Sequence, residues 1–283
     1  MKMLHGDYRI GDLCAAFGVS RSGYHRWRTA GASARGCEDA LLGEALRSVH
    51  AQSRGTYGRP RLCAALRRAG RRHSPKRIAR LMQELGLRGV RRGRFRPQTT
   101  DSSHELKRVP NRLRKAAPPK ARDQVWVADI TFVPTAEGWL YVAGVLDRYS
   151  RRILGLAFSA RIDADLPEAA LRQALGRRDR VISSGLLHHS DQGVQYASDS
   201  YQALLKSQSI TPSMSRKANC YDNAHMESFW ATLKTEASSA RIFATRHEAR
   251  VAIFDYIETF YNRVRLHSAL GYQSPVDFEL LNN

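Results

Sequence analysis

Three strand-like apolar runs between residues 125 and 160 constrain the fold of this chain most strongly. They are V-W-V-A-D-I-T-F-V (125–133), W-L-Y-V-A-G-V-L-D (139–147) and R-I-L-G-L-A-F-S-A (152–160). The first two contain several β-branched and aromatic residues, which favour strands, the third is mostly apolar, and an E-G pair between the first two is typical of a tight turn. The sequence therefore predicts three consecutive strands, the first two joined as a hairpin.

Helix-like and strand-like segments alternate after these runs. The helical pattern D-L-P-E-A-A-L-R-Q-A-L precedes an apolar run that ends at Asp191, and the helical S-Y-Q-A-L-L-K-S-Q precedes a short strand, I-T-P-S-M-S. A helix carrying Glu227 follows, and a long helix over about 246–270 closes the chain. This order predicts an α/β fold with a mixed five-stranded sheet and flanking helices, the topology of the ribonuclease H-like fold.

Three carboxylates occupy positions that such a sheet can bring together. Asp129 interrupts the first apolar run, Asp191 ends a later one, and Glu227 lies on a helix. A carboxylate inside an apolar strand is unfavourable unless a cation or partner compensates it. Carboxylates are hard ligands suited to Mg²⁺ or Mn²⁺, and two such ions about 3.5–4 Å apart commonly promote attack on a phosphodiester. The trio therefore predicts an enzyme that cuts and joins DNA.

Other acidic residues and two histidines compete with this trio. Asp147 ends the second strand, Asp222 precedes the later helix, and Glu137 lies in the hairpin turn. Taken singly, any of them is more often a surface or capping group than a ligand. His188 and His189 lack a carboxylate or cysteine at zinc-site spacing, so we expect them to flank the site or pack beneath it.

The excess basic charge lies entirely in the first half of the chain. The net charge is +20, with 29 Lys and Arg against 9 Asp and Glu in residues 1–124, and 17 of each in residues 125–283. This asymmetry predicts that the first half binds a polyanion and that the second half has a separate globular task. The alternative is a basic surface that serves solubility.

Residues 8–30 are predicted to form a first helix-turn-helix element. Helically spaced apolar residues precede Gly18, which supplies the turn, and Ser20 can cap the next helix. The pattern is short, and a purely structural helical hairpin explains it as well as a groove-reading one does.

A second basic helical region contains a helix that Ser74 can cap. Basic side chains near the start of that helix would face outward, where a recognition helix presents side chains to DNA. The alternative is a basic bundle that does not contact DNA. Further arginines in R-G-V-R-R-G-R-F-R-P would neutralise phosphates without reading sequence. The DNA-contact candidates are Lys76, Arg77, Arg80, Arg91, Arg92 and Arg94.

These patterns divide the chain into four predicted parts. They are a helix-turn-helix-like segment (1–38), a basic helical DNA-binding domain (39–95), a basic linker (96–122) and a catalytic core with a C-terminal helix (123–283). No apolar run is long enough to span a bilayer, and the N-terminus lacks the apolar stretch of a secretory signal. We therefore expect a cytoplasmic, nucleoid-associated protein.

Several sequence blocks resemble motifs of bacterial insertion-sequence transposases. The catalytic blocks are W-x-x-D-I-T-F (126–132), H-S-D-Q-G-x-Q-Y (189–196) and C-Y-D-N-A-x-x-E-S-F-W (220–230). Two further stretches, G-x-Y-G-R-P-R-L (55–62) and Y-N-x-x-R-x-H-S-A-L-G-Y-x-S-P (261–275), are similar to other signatures of one subgroup. That subgroup encodes its transposase in two overlapping reading frames, and the chain resembles the second-frame (OrfB-type) product.

The resemblance implies a retroviral-integrase-like core in which Asp129, Asp191 and Glu227 form the metal-binding triad. The implied chemistry is strand cleavage and strand transfer at the ends of the element, with two Mg²⁺ or Mn²⁺ ions per active site and no covalent protein–DNA intermediate. Lys234 lies seven positions after Glu227. A basic residue there often contacts DNA in such families, and a solvated helix lysine is the alternative.

The implied partners are the terminal inverted repeats, target DNA and further copies of the chain in a synaptic complex. In this subgroup the full transposase is usually a frameshifted fusion whose first-frame part adds a helix-turn-helix and a coiled coil. No a/d heptad run occurs here, so an upstream-frame (OrfA-type) protein or fusion is a further expected partner. Two other functions stay open: a catalytically idle DNA-binding regulator, and a ribonuclease H-like nuclease that does not join DNA.

Overall fold

The first half of the chain forms a set of short helices. The structure, a computed structural model, describes residues 8–30, 33–90, 109–178, 185–216, 223–237 and 242–282. Within the first half the helices are α1 (Ile10–Ala16), α2 (Arg21–Thr29), α3 (Ala34–Gln52), α4 (Arg59–Arg68) and α5 (Pro75–Glu84). The predicted domain boundary at residue 38 falls within α3. None of the helices in the described ranges is long and apolar enough to cross a membrane.

Serine caps begin two of these helices, as the sequence predicts. Ser20 accepts a hydrogen bond from the N–H of Gly23 at 3.0 Å at the start of α2. Ser74 accepts one from the N–H of Arg77 at 3.2 Å at the start of α5. Gly18 turns the chain between α1 and α2 with a φ of +64°, a left-handed conformation that favours glycine.

The second half of the chain is built on a five-stranded mixed sheet. Its elements are β1 (Val125–Thr135), β2 (Gly138–Asp147), β3 (Ile153–Ser159), α6 (Asp165–Gly176), β4 (Leu187–Ser190), α7 (Val194–Ala197), α8 (Asp199–Ser207), β5 (Thr211–Met214), α9 (Ala224–Glu236), α10 (Arg246–Asp255) and α11 (Pro275–Leu281). The strand order is β3-β2-β1-β4-β5. The first three strands are antiparallel, and β4 and β5 run parallel to β1. This topology confirms the predicted ribonuclease H-like sheet.

Alternation along β1 directs its side chains into two separate cores. Trp126 and Ala128 pack with α6, α7 and α8 on one face, and Val127 packs with α9 and α10 on the other. Helix α6 lies very close to the sheet at Gly155, where a Cβ would collide with the carbonyl oxygen of Ala170. The carboxylate of Asp129 belongs to the α9 face by the same alternation.

The prediction of a single long helix over about 246–270 is wrong. Helix α10 ends at Asp255, and a π-helical segment, Tyr256–Tyr261, follows it. Asn262 then donates a hydrogen bond to the carbonyl oxygen of Ile153 and accepts one from its N–H, both at 3.0 Å. This pairing attaches the chain to strand β3, and Gly271, with a φ of +62°, turns it further. Tertiary pairing therefore overrides the apolar periodicity on which the prediction rested.

The basic helices and the sheet share a continuous hydrophobic core. Residues of α3, α4 and α5 belong to the same buried cluster as those of β1, β2 and α9. The Tyr57 hydroxyl accepts a hydrogen bond from the N–H of Leu266 at 2.7 Å and donates one to the carbonyl oxygen of Val264 at 3.0 Å. Arg61 donates from Nε to the carbonyl oxygen of Leu266 at 3.0 Å. The basic first half and the neutral second half therefore pack against each other, although their charges differ.

A buried ion-pair network attaches α11 to the sheet. The carboxylate of Glu279, which is 4% exposed, accepts hydrogen bonds from Arg178 at 2.8 and 3.1 Å, from Arg152 at 2.6 Å and from Ser150 at 2.8 Å. Burial alone would raise the pKa of this carboxyl, but the hydrogen bonds and charge of Arg178, together with Arg152 and Ser150, lower the pKa to about 2. The ionised form is therefore the one that stabilises the fold.

We expect Glu279→Gln to lower the free energy of unfolding at neutral pH by as much as roughly 3 kcal/mol. The folded pKa lies below the ordinary value of 4.5, so the stabilisation is present above that value and disappears as the pH falls towards 2. The measurement is denaturant unfolding over a pH series, in which the difference between wild type and variant should shrink with acid. Glu44→Gln, on the exposed face of α3, is the control. An equal effect of both substitutions would contradict the assignment.

Candidate active site

Two of the three predicted carboxylates lie side by side on neighbouring parallel strands. The register between β1 and β4 pairs Val127 with His189. Two residues further along each strand are Asp129, in the middle of β1, and Asp191, which follows the last residue of β4. Parallel strands lie about 4.8 Å apart, so this register places the two aspartates next to each other. Their neighbouring position follows from the sheet itself.

Local hydrogen bonds orient both aspartates. Oδ1 of Asp191 accepts a hydrogen bond from the N–H of Gly193 at 3.0 Å, in the turn that follows β4. Oδ1 of Asp129 accepts one from the N–H of Ile130 at 2.9 Å. Each aspartate thus has one oxygen held by backbone, and Oδ2 of Asp129 is oriented by a side chain on α9.

Helix α9 carries Glu227 and is joined directly to Asp129. The indole Nε1 of Trp230 donates a hydrogen bond to Oδ2 of Asp129 at 3.1 Å. Gly144, opposite Asp129 on β2, makes room for the indole, because a Cβ there would lie 2.9 Å from the ring. At the start of the helix, Nδ2 of Asn223 donates to the carbonyl oxygen of Ala128 at 3.0 Å. Glu227 lies between these two attachments, in the first turn.

Asp129 experiences the negative charge of both other carboxylates. Burial, the charge of Asp191 and the charge of Glu227 raise the pKa of Asp129 well above its ordinary value. Partial desolvation also raises the pKa of Glu227, although this side chain is exposed on α9. The site therefore concentrates negative charge that the protein itself compensates only in part.

Lys234 lies on the same side of α9 and within the field of these carboxylates. Its ammonium is 4.9 Å from the centre of the Phe132 ring, which lies on β1 three residues after Asp129. Burial lowers the pKa of Lys234, and the charge of Asp129 opposes that shift. Lys234 is therefore half-buried beside the site rather than extended into solvent, and its contact with DNA stays a prediction.

The donor chemistry of the site fits a hard divalent cation, although the three carboxylates do not form a closed set. Across the described ranges, no three or more His, Cys, Asp or Glu side chains lie close enough together to hold a metal ion. Next to the aspartates, however, the Tyr196 hydroxyl and Oδ1 of Asn223 are buried and have no hydrogen-bond partner in the described part of the chain. Adjacent carboxylates beside unsatisfied polar oxygens are suited to a hydrated oxygen-binding ion.

The competing acids and histidines have structural partners. Asp147 is fully buried and accepts hydrogen bonds from the N–H of Ser150 and the N–H of Asp123, both at 2.7 Å. His188 is buried against the Tyr201 hydroxyl at 3.0 Å, and burial lowers the pKa of His188 to about 3. The side chains of His189 and Glu137 also make hydrogen bonds, to Ser213 and Ser215 and to the N–H of Arg246. Asp222 lies outside the described residues.

The predicted DNA-contact residues on α5 have different surroundings. Lys76 is exposed. Arg77 donates from Nε to Asp39 on α3 at 2.6 Å, and Arg80 pairs with Asp39 at 2.5 Å and with Glu84 at 2.7 Å. Both guanidinium groups therefore form ion pairs in the structure, and their shared partner Asp39 joins α5 to α3. Three further candidates lie outside the described residues, namely Arg91, Arg92 and Arg94.

Comparison with known proteins identifies the family. The sequence model described as "HTH-like domain" matches residues 37–95, and two models described as "Integrase core domain" match residues 119–220 and 208–275. The "Insertion element IS600 uncharacterized 31 kDa protein" of Shigella sonnei is 46% identical over 94% of this chain and 97% of that protein. The "Transposase InsF for insertion sequence IS3A" of Escherichia coli K12 is 37% identical over 98% of this chain and 96% of that protein.

Among solved structures, the chain is similar to the HTLV-2 integrase catalytic core domain in complex with magnesium. The identity is 13% and the TM-score 0.44, covering 56% of this chain and 97% of that chain. The fold assignment depends instead on the sheet topology and on the integrase core match.

The integrase core, with carboxylates at the centre of its sheet, defines a polynucleotidyl transferase of the Asp-Asp-Glu type. The chain belongs to the bacterial insertion-sequence transposases related to IS600 and IS3, as an OrfB-type member. It is a DNA transposase with a helix-turn-helix-like domain, and its partner is DNA. The sequence blocks indicated this family, but two residues that shape the site were not recognised from the sequence. Trp230 ends the third catalytic block, and Gly144 lies in the second strand-like run.

We expect Trp230→Phe to reduce DNA cleavage by about 10–100-fold, the usual effect of removing a group that orients a ligand carboxylate. Phenylalanine keeps most of the packing but cannot donate to Oδ2 of Asp129. Cleavage rates at saturating Mg²⁺ and melting temperatures are measured together. Trp139→Phe, at a 48% exposed tryptophan on β2, is the matched control. Loss of melting temperature in proportion to activity would show that Trp230 acts through stability alone.

Proposed function

We propose that this transposase cleaves DNA at the ends of its element and transfers the strands to target DNA through Asp129, Asp191 and Glu227. The observation that carries the proposal is the β1–β4 register, which places two aspartates together, with α9 joined to one of them through Trp230. The raised pKa of Asp129, to which the charges of Asp191 and Glu227 contribute after burial, supports a shared site. The proposal includes a movement of the Glu227 side chain towards the two aspartates, because the three carboxylates do not form a closed set of ligands in the structure.

Asp129, Asp191 and Glu227 would hold two Mg²⁺ or Mn²⁺ ions. When bound, such ions activate a water or a 3′-hydroxyl as nucleophile and stabilise charge on the leaving oxygen. Trp230 keeps Oδ2 of Asp129 directed towards the site. Lys234, half-buried beside Asp129, would donate to a phosphate close to the cut. No side chain is required to form a covalent bond to DNA.

The basic helices supply the DNA-binding surface in this proposal. Arg67, Arg71 and Arg72 line a cleft of about 290 Å³ at the turn between α4 and α5. None of the three has an ion pair with a described residue. Lys76 is exposed at the start of α5. Arg77 and Arg80 would contact DNA by breaking their ion pairs with acidic side chains and pairing with DNA phosphates instead. The linker arginines Arg91, Arg92 and Arg94 would add sequence-independent affinity.

The proposed division of labour keeps the four predicted parts. In this proposal the DNA-binding parts are residues 1–38 and 39–95. The linker is 96–122, and the catalytic core is 123–283. The DNA partners would be the terminal inverted repeats and the target, at the nucleoid in the cytoplasm. Further copies of the chain, and an OrfA-type protein or fusion, would complete the synaptic complex. A catalytically idle regulator or a nuclease without joining activity has no specific support in the geometry of the site.

We expect Glu227→Gln to abolish metal-dependent cleavage and strand transfer, by at least about a thousandfold if the carboxylate holds an ion, while DNA affinity stays unchanged. The amide is isosteric but uncharged, so it removes ligand charge without removing volume. Gel-based assays of cleavage and joining with oligonucleotides carrying the flanking element ends provide the measurement, with and without the upstream-frame extension.

Glu44→Gln is the matched control, because Glu44 is exposed on α3. Wild-type strand transfer by the Glu227 variant would exclude the triad. Cleavage by wild type without joining would instead favour the nuclease function. DNA binding without either reaction would favour the regulator.

A further inference from the structure

A second cleft lies on the flank of α9, between the basic helices and the C-terminal segment. Its volume is about 560 Å³, within the range of roughly 300–1,000 Å³ common for ligand sites. Helices α4 and α9, the turn after β2 and the segment after Tyr261 form its walls. The lining includes Arg61, Arg151, Ser228, Glu236, Arg265 and His267.

The cleft carries an excess of positive charge. Arg265 pairs with Glu236 through two hydrogen bonds of 2.6 and 2.7 Å, and both side chains are nearly fully buried. Arg61 lies 3.6 Å from the same carboxylate. Arg151 has no ion pair or side-chain hydrogen bond with any residue in the described ranges. Two guanidinium groups therefore share one carboxylate, and Arg151 adds a third positive charge to the lining.

Arg151 is the lining residue that the fold itself does not use. Its backbone has a φ of +63°, a left-handed conformation that glycine adopts with less strain. Burial lowers the pKa of its guanidinium, and the charge of Asp147 opposes that shift although the two side chains form no ion pair. A partly desolvated guanidinium without an ion pair is stabilised when an anion binds to it.

The cleft is continuous with the active site along α9. Ser228 lines the cleft and follows Glu227 directly, so the two side chains leave the helix about a quarter turn apart. The lining then continues along the helix through Thr232 to Glu236. Across the cleft, Arg61 belongs to α4 of the helix-turn-helix-like domain. A polyanion that reaches both the carboxylates and the basic helices would pass this point.

We propose that this cleft is a phosphate-binding site for the backbone of the DNA held at the carboxylates, with Arg151 as its principal ligand and Arg61 and Arg265 as its positive walls. The inference rests on the proposed DNA-joining function and adds a DNA contact between the helix-turn-helix-like domain and the cut. Planar guanidinium groups are suited to phosphate because their donors match its oxygens.

The test compares the salt dependence of duplex DNA binding by the full-length wild type, Arg151→Gln and Arg161→Gln. Arg161 is exposed just after the end of β3 and does not line the cleft, so it controls for the loss of one charge. Each phosphate contact contributes about 0.9 to the slope of log K against log salt. We expect a slope shallower by about 0.9 for Arg151→Gln, no change for Arg161→Gln, and recovery in Arg151→Lys.

Thermal melting separates a binding role from a structural one. Because Arg151 lacks a partner in the described part of the chain, Arg151→Gln should keep or raise the melting temperature. An unchanged slope, or a melting temperature several degrees lower, would overturn the proposal. Binding of deoxyadenosine monophosphate that requires Arg151, with an unchanged DNA slope, would assign the cleft to a free nucleotide and would also overturn it. Failure of the proposed function is distinguishable, because wild type would then bind DNA without cutting or joining it.

Discussion

The parallel register between β1 and β4 is the constraint on which the rest of the structure depends. It brings Asp129 and Asp191 together at the sheet, where the two like charges repel and burial penalises the charge of Asp129. Such a pair persists only if the surrounding packing is strong enough to hold it. Two buried cores, one on each face of the sheet, provide that support, and the backbone and Trp230 hold the individual oxygens.

Helix α9 connects the aspartate pair on the sheet to the C-terminal segment and to the basic helices. At one end, Asn223 and Trp230 join it to β1, and at the other, Glu236 forms a buried pair with Arg265 and lies near Arg61 of α4. The helix that carries the third carboxylate is therefore held by the sheet, the C-terminal segment and the basic helices together. The DNA-binding half and the catalytic half are one packed unit, so a displacement of α4 would bear directly on the helix that presents Glu227.

The strands and the central helices could be predicted because their signals are local. Apolar alternation and β-branched residues are enough for β1 to β3, and serine caps are enough for the starts of α2 and α5. The closing helix could not be predicted, because the hydrogen bonds of Asn262 to β3 end the helical path. Likewise, Arg77 and Arg80 have the sequence of a recognition helix, but their pairing with Asp39 depends on how α3 packs against α5.

The sequence by itself determined the fold class and the family, since these follow from periodicity and from short motifs, and it singled out the three carboxylates that are proposed as the site. Only the tertiary structure decided which acids are neighbours and which are structural: Asp147 is buried in a turn, whereas Asp129 and Asp191 meet across two strands. It also decided that the basic helices pack onto the C-terminal segment and that Arg151 lines a cleft beside α9. The physical reason is that local propensity acts over a few residues, while charge proximity and burial depend on segments far apart in the chain.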